Sequence, residues 1–260
     1  MPTTSEKPGP TARLDPEPVV LLEGVSVRYR LPRERITSIK DYAIRRVKGQ
    51  IRFDDFWALH DVTLDVHKGE TLGIIGHNGA GKTTLLRLVA RVLKPTRGRV
   101  WVKGRVAPLL SLGAGFDHEM TGRENIFLNG TILGSSEKDV ARRFDGIVDF
   151  AGIREFIDLP LRCYSSGMIA RLGFAIATDV QPDILILDEV FAVGDEEFRQ
   201  RSWDRMDALR QNGDAILFVS HGLEMVRRIC HRVAWLDHGR LRAIGPPDEV
   251  IEEYKATAGR

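Results

Sequence analysis

Thr71-Leu72-Gly73-Ile74-Ile75-Gly76-His77-Asn78-Gly79-Ala80-Gly81-Lys82-Thr83-Thr84 is the stretch on which the fold turns. A short apolar run leads into G-x-x-x-x-G-K-[ST], and helical spacing follows over Lys82 to Leu93, with Leu85, Leu86, Leu88, Val89, Val92 and Leu93 on one face. Glycines let the backbone wrap until its N–H groups point inward, and a helix N-terminus adds about half a positive charge at the same place. Such a loop grips phosphate oxygens. Gly76, His77, Asn78, Gly79, Ala80, Gly81, Lys82, Thr83 and Thr84 are the expected nucleotide-binding set, with Lys82 on the β- and γ-phosphates and the Thr83 hydroxyl on Mg²⁺. His77 holds a variable position and is assigned no chemistry. The competing reading, a glycine turn with a chance Lys-Thr, is disfavoured by the flanking strand and helix.

Downstream, Ile184-Leu185-Ile186-Leu187-Asp188-Glu189 is an apolar run too short for a helix that ends in two carboxylates. Open α/β sheets bind ligands where strands deliver their C-terminal ends. After a phosphate loop, Asp188 is expected to hold Mg²⁺, directly or through water, and Glu189 to polarise the attacking water as general base. Taken alone, the two acids could be simple helix caps.

Other strand-like runs are Val19 to Val27, Leu59 to Val66, Gly98 to Val102, Val106 to Leu110, Ala215 to Ser220 and Val233 to Asp237. Between Thr121 and about Ala177 helical patterns dominate, which suggests an inserted helical lobe. Strands joined by helices in this order predict an α/β fold with a mainly parallel sheet. Residues 1–17, rich in Pro and charge, are expected to be a disordered tail.

Net charge is +2, so nothing global argues for nucleic acid as a partner. Two cysteines, Cys163 and Cys230, exclude a disulfide scaffold, and the seven histidines show no ligand spacing, so no metal is expected beyond one brought by nucleotide. No window approaches the roughly 18 apolar residues of a membrane span, and no signal peptide is evident. A soluble chain is expected.

The order of these motifs resembles the ATP-binding cassette family. Tyr164-Ser165-Ser166-Gly167-Met168 is similar to the family's signature loop, usually L-S-G-G-Q, and lies between the phosphate loop and the acidic strand. Ala192-Val193-Gly194-Asp195 resembles the D-loop, and His221 resembles the switch histidine that contacts the γ-phosphate. The resemblance covers about Val19 to Tyr254. It implies a P-loop NTPase (RecA-like) domain over residues 18–257, with an antiparallel β-subdomain beside the main sheet and a helical subdomain at 117–178. ATP and Mg²⁺ are the implied cofactors, and Glu189 and His221 the implied catalytic pair. Ser165, Ser166 and Gly167 would close on nucleotide held by a second cassette, with a separate membrane permease as partner.

One departure is plain: Leu110-Ser111-Leu112-Gly113-Ala114-Gly115-Phe116 lacks the family's glutamine, and what replaces it stays open. The aromatic that stacks on adenine is Tyr29 or Trp57. The variant signature, Gly113-Ala114-Gly115-Phe116 with Thr121-Gly122-Arg123-Glu124-Asn125, and a long insertion at 28–56 resemble the cassettes that export O-antigen, capsule and teichoic acid. Within that insertion Ile36, Ile39, Ala43 and Val47 follow helical spacing among Arg33, Arg35, Lys40, Arg45, Arg46, Lys48 and Arg52. Such a basic helix would lie at the cytoplasmic face of the bacterial membrane or against a lipid-linked glycan, or simply pack on its own domain. The glycan-binding module that some members append is not expected. Other transporters, non-transport cassettes and a degenerate scaffold are the alternatives; intact Lys82, Asp188, Glu189 and His221 argue against the last.

Overall fold

The computed structural model describes residues 17–32, 53–109, 115–188 and 196–258. Two sheets form the body. β1 (Pro18–Pro32), β2 (Phe53–His67) and β4 (Arg97–Val102) make an antiparallel sheet in the order β2-β1-β4. The second sheet runs β5-β6-β7-β3-β8-β9, from β5 (Val106–Leu109), β6 (Ile184–Asp188), β7 (Ala215–Val219), β3 (Thr71–Ile75), β8 (Arg232–Asp237) and β9 (Arg240–Gly245). All its neighbours are parallel except β9, which turns back on β8.

β3 and β7 are buried along their whole length, the pattern of strands covered on both faces. On one face Leu72, Ile74, Leu217 and Val219 pack with α1 (Lys82–Val89), through Leu85, Leu86 and Val89, and with Leu22, Val62 and Leu64 of the antiparallel sheet. On the other, Leu185, Leu187, Ile216 and Phe218 meet Phe174, Phe198, Met206 and Ile251. Those four residues come from α4 (Ser166–Asp179), α5 (Glu196–Gln211) and α7 (Pro247–Ala258). Gly73 lets α6 (Leu223–Ile229) close in, since a Cβ there would stand 2.8 Å from Cys230 Sγ and 2.9 Å from a Val226 methyl.

The helical lobe has its own core. α2 (Gly122–Ile132) opens with a Thr121/Glu124 capping box, and α3 (Glu137–Ala151) starts on Ser136 and stops at left-handed Gly152. With α4 they bury Ile126, Val148, Ile153, Leu161, Leu172 and Ile176. Among the described residues no helix is long and apolar enough to cross a membrane.

The β1–β2 ladder extends further than the sequence suggests. Arg28 to Pro32 pair with Phe53 to Trp57, so both ends of the stretch expected to be an insertion are strand. Charge hides them: Arg28 and Asp55, paired at 2.9 Å, interrupt the apolar alternation on the exposed part of the hairpin. Glu17 is likewise described, with its carboxylate 3.1 Å from Lys103 Nζ, while residues 1–16 and the basic helical pattern at 33–52 lie outside the described residues.

Candidate functional site

β3 ends at Ile75 and the chain turns through Gly76 to Gly81 before α1 begins. Gly76 has φ +147, and a Cβ on it would stand 2.2 Å from Leu236 O; at Gly81, φ is +106 and a Cβ would stand 2.6 Å from Ala58 O. Glycine is required at both. Gly81 is also the N-cap of α1 and provides no side-chain cap, so the first N–H groups of the helix are available to an anion. Lys82 is buried, and its ammonium donates to Gly76 O at 2.7 Å and His77 O at 3.1 Å. These bonds fold the lysine over the loop.

A cavity of about 460 Å³ opens here, walled by Asn78, Gly79, Ala80, Gly81, Lys82, Thr83 and Thr84 on one side and Tyr29, Phe56 and Ala58 on the other. Tyr29 pairs with Phe56 across the ladder, while Arg28 pairs with Trp57. Alternation therefore sends Trp57 to the opposite face, where the Arg28 and Arg97 guanidiniums lie 5.6 and 5.3 Å from its ring. Of the two aromatic candidates, only Tyr29 reaches the cavity. Phe56, absent from the sequence-based candidates, stands beside it; once the strand is known to begin at Phe53, the period of two puts Phe56 and Ala58 on the same face.

Three neighbouring strands carry the other expected groups to one edge. Val219 of β7 is in register with Ile74 of β3 on one side and with Asp188 of β6 on the other. The phosphate loop, Asp188 and exposed His221 therefore leave the sheet at adjoining C-terminal ends. Glu189 and the stretches 110–114 and 192–195 fall outside the described residues.

Ser165 and Ser166 are exposed at the start of α4, away from the cavity walls, and the Ser165 hydroxyl accepts the Met168 N–H at 3.2 Å. Gly167 is half-buried beside them. The preceding Tyr164 ties this helix start to the lobe, its hydroxyl donating to Phe156 O at 2.7 Å. Burial, with Asp158 nearby, pushes that phenol up to about 12. Gly122 makes room for it, since a Cβ there would lie 2.2 Å from the hydroxyl oxygen.

Two of the histidines, far apart in the chain, come together in space. His77 of the loop and His238 of the β8–β9 turn bracket Asp237, with ligand-capable atoms all within 4.8 Å of one another. Chain spacing conceals this because the loop packs on a turn far away in sequence, through Gly239 N–H to Ala80 O at 3.0 Å.

The sequence pattern described as "ABC transporter" matches residues 59–192. The chain belongs to the ABC transporter family. It is an ATP-binding, ATP-hydrolysing cassette of the kind that pairs with a second cassette and with membrane permeases. It is 46% identical over 241 residues to the O-antigen export system ATP-binding protein RfbB of Klebsiella pneumoniae, covering 92% of this chain and 98% of that protein. It is 42% identical to the teichoic acids export ATP-binding protein TagH of Enterococcus faecalis, over 88% of this chain and 50% of that protein. The fold matches the dimeric post-hydrolysis structure of the ATP-binding cassette MJ0796 bound to ADP and Pi, with a TM-score of 0.71 and 19% identity over 88% of this chain and 98% of that one.

Proposed function

We propose that this ABC cassette powers export of a lipid-linked surface glycan, of the O-antigen, capsule or teichoic-acid class, across the cytoplasmic membrane of a bacterium. It would do so from the cytoplasmic face, as a homodimer beneath a separate permease. The supporting observation is the 46% identity with an O-antigen export ATP-binding protein over nearly the full length of both chains.

The geometry of the described residues and the order of the motifs support the following roles. The uncapped start of α1 and Lys82 take the phosphates, while Tyr29 and Phe56 offer ring faces to the base. The Thr83 hydroxyl in the cavity wall and Asp188 at the neighbouring strand end are hard oxygen donors, which fits Mg²⁺. Bound there, Mg²⁺ would neutralise phosphate charge. Glu189, next after Asp188, accepts the proton of the attacking water, and His221 contacts the γ-phosphate from the end of β7. Ser165 and Ser166, exposed at a helix start, and half-buried Gly167 beside them serve the nucleotide of the opposing cassette. Closure of the two copies moves the permease, and loss of γ-phosphate reopens them.

The basic stretch at 33–52 is assigned to the anionic membrane surface or the glycan's phosphate, where each cation contributes about 1 kcal/mol. Deleting the gene should leave a lipid-linked glycan on the inner side of the membrane and remove it from the cell surface, and wild-type sequence but not Lys82→Ala should restore export. Unchanged surface glycan in the deletion strain overturns the assignment.

A further inference from the structure

Asp237 sits at the end of β8 between two imidazoles. His238 Nδ1 is 2.7 Å from its Oδ1, and His77 Nε2 is 3.2 Å from the same oxygen. The other carboxylate oxygen is occupied by Arg242, whose Nε and Nη2 reach it at 3.0 and 2.9 Å. Arg242 thus aims Oδ1 at the histidine pair, whose ring centroids are 4.6 Å apart.

The tautomer of His77 follows from its other nitrogen. Nδ1 lies 2.7 Å from Asn78 O, which can only accept, so Nδ1 carries a proton and donates it. In the neutral ring Nε2 is then a bare lone pair. That atom is shielded from solvent and makes no hydrogen bond, although Asp237 Oδ1 is close by. Two lone pairs facing each other across 3.2 Å call for a cation between them. An N–H donated to a backbone carbonyl is also the usual outer contact of a metal-bound imidazole.

We propose that His77, Asp237 and His238 form a divalent transition-metal site that fastens the phosphate loop to the β8–β9 turn. Two imidazoles and one carboxylate oxygen suit Zn²⁺, Ni²⁺ or Co²⁺ and not Mg²⁺. Donor atoms on a tetrahedral ion with bonds near 2.0 Å stand about 3.3 Å apart, close to the spacing His77 and Asp237 already have. His238, with 80% of its side chain exposed, has freedom to complete the set, leaving the fourth position to water. The loop is already tied to this turn by the Gly239 N–H bond to Ala80 O at 3.0 Å, and His77 O is one of the two oxygens that hold Lys82. A bound ion would therefore stiffen the part of the loop that sets the lysine.

The test uses the full chain, free of any affinity tag and of nucleotide, carrying Cys163→Ser because Cys163 is the exposed thiol. Co²⁺ is titrated in, visible absorption reports tetrahedral nitrogen and oxygen coordination, and thermal melting reports the clamp. One equivalent should saturate the band and raise Tm. His238→Asn, which keeps the left-handed backbone found there (φ 46), should weaken Co²⁺ binding at least tenfold and remove the Tm shift while leaving nucleotide affinity in the absence of Co²⁺ unchanged. His77→Ala should weaken Co²⁺ binding to a similar degree. Absence of the band at one equivalent, or an identical titration with His238→Asn, overturns the site.

Discussion

Tyr29 stands directly opposite Phe56 in the β1–β2 ladder, and both rings wall the cavity that the phosphate loop closes. Base stacking on an aromatic ring contributes about 1–3 kcal/mol by alanine substitution. Tyr29→Ala and Phe56→Ala should each weaken nucleotide binding by roughly tenfold. Trp57→Ala, on the reverse face, should leave affinity unchanged, as titration of a fluorescent ATP analogue will check.

Glycine requirements in the loop differ by site. At Gly81 a side chain meets both an unfavourable φ and Ala58 O, whereas at Gly79 (φ +83) a Cβ has nothing within 4 Å. Gly81→Ala should therefore destabilise the fold by about 2 kcal/mol or more, and Gly79→Ala by only about 1 kcal/mol, in urea melts without nucleotide.

Glu189→Gln should reduce ATP turnover by about 10²-fold or more while leaving ATP bound in a persistent dimer, because the proton acceptor is lost but the charge-independent contacts remain. Size-exclusion chromatography with MgATP is the check. A purely monomeric elution with normal turnover would falsify the base assignment.

His231 provides a pH test. Its Nδ1 accepts the Thr71 N–H at 2.9 Å, and burial, with Arg210 nearby, holds its imidazole below the ordinary range. Once pH falls below the free-imidazole value of about 6.5, the unfolded chain binds a proton that the folded chain resists. Its contribution to stability is thus complete above about pH 6.5 and declines as pH drops. The slope it adds is at most about 1.4 kcal/mol per pH unit, and His231→Asn, which keeps an acceptor for Thr71, should flatten that part of the profile.

The parallel sheet, the phosphate loop and the helical lobe were legible because each carries local chemistry: buried runs, obligatory glycines and helical patterning. Asp188 could be placed on a strand end for the same reason. Phe56 was not legible, since two aspartates beside it, Asp54 and Asp55, break the alternation that marks a strand and the pairing with Tyr29 spans the hairpin. Convergence of His77 with His238 depends on β3 and β8 lying side by side, a matter of topology to which neighbouring sequence is blind. Ser165 shows both sides: its capping role is local and readable, whereas the nucleotide it is proposed to meet belongs to another molecule.

The aromatic wall has one more consequence. A flat ring gripped by its faces is gripped without regard to the amino or oxo group at its edge. The stacking that Tyr29 and Phe56 contribute should therefore be common to ATP and GTP, and Tyr29→Ala should weaken the binding of both nucleotides by a similar factor.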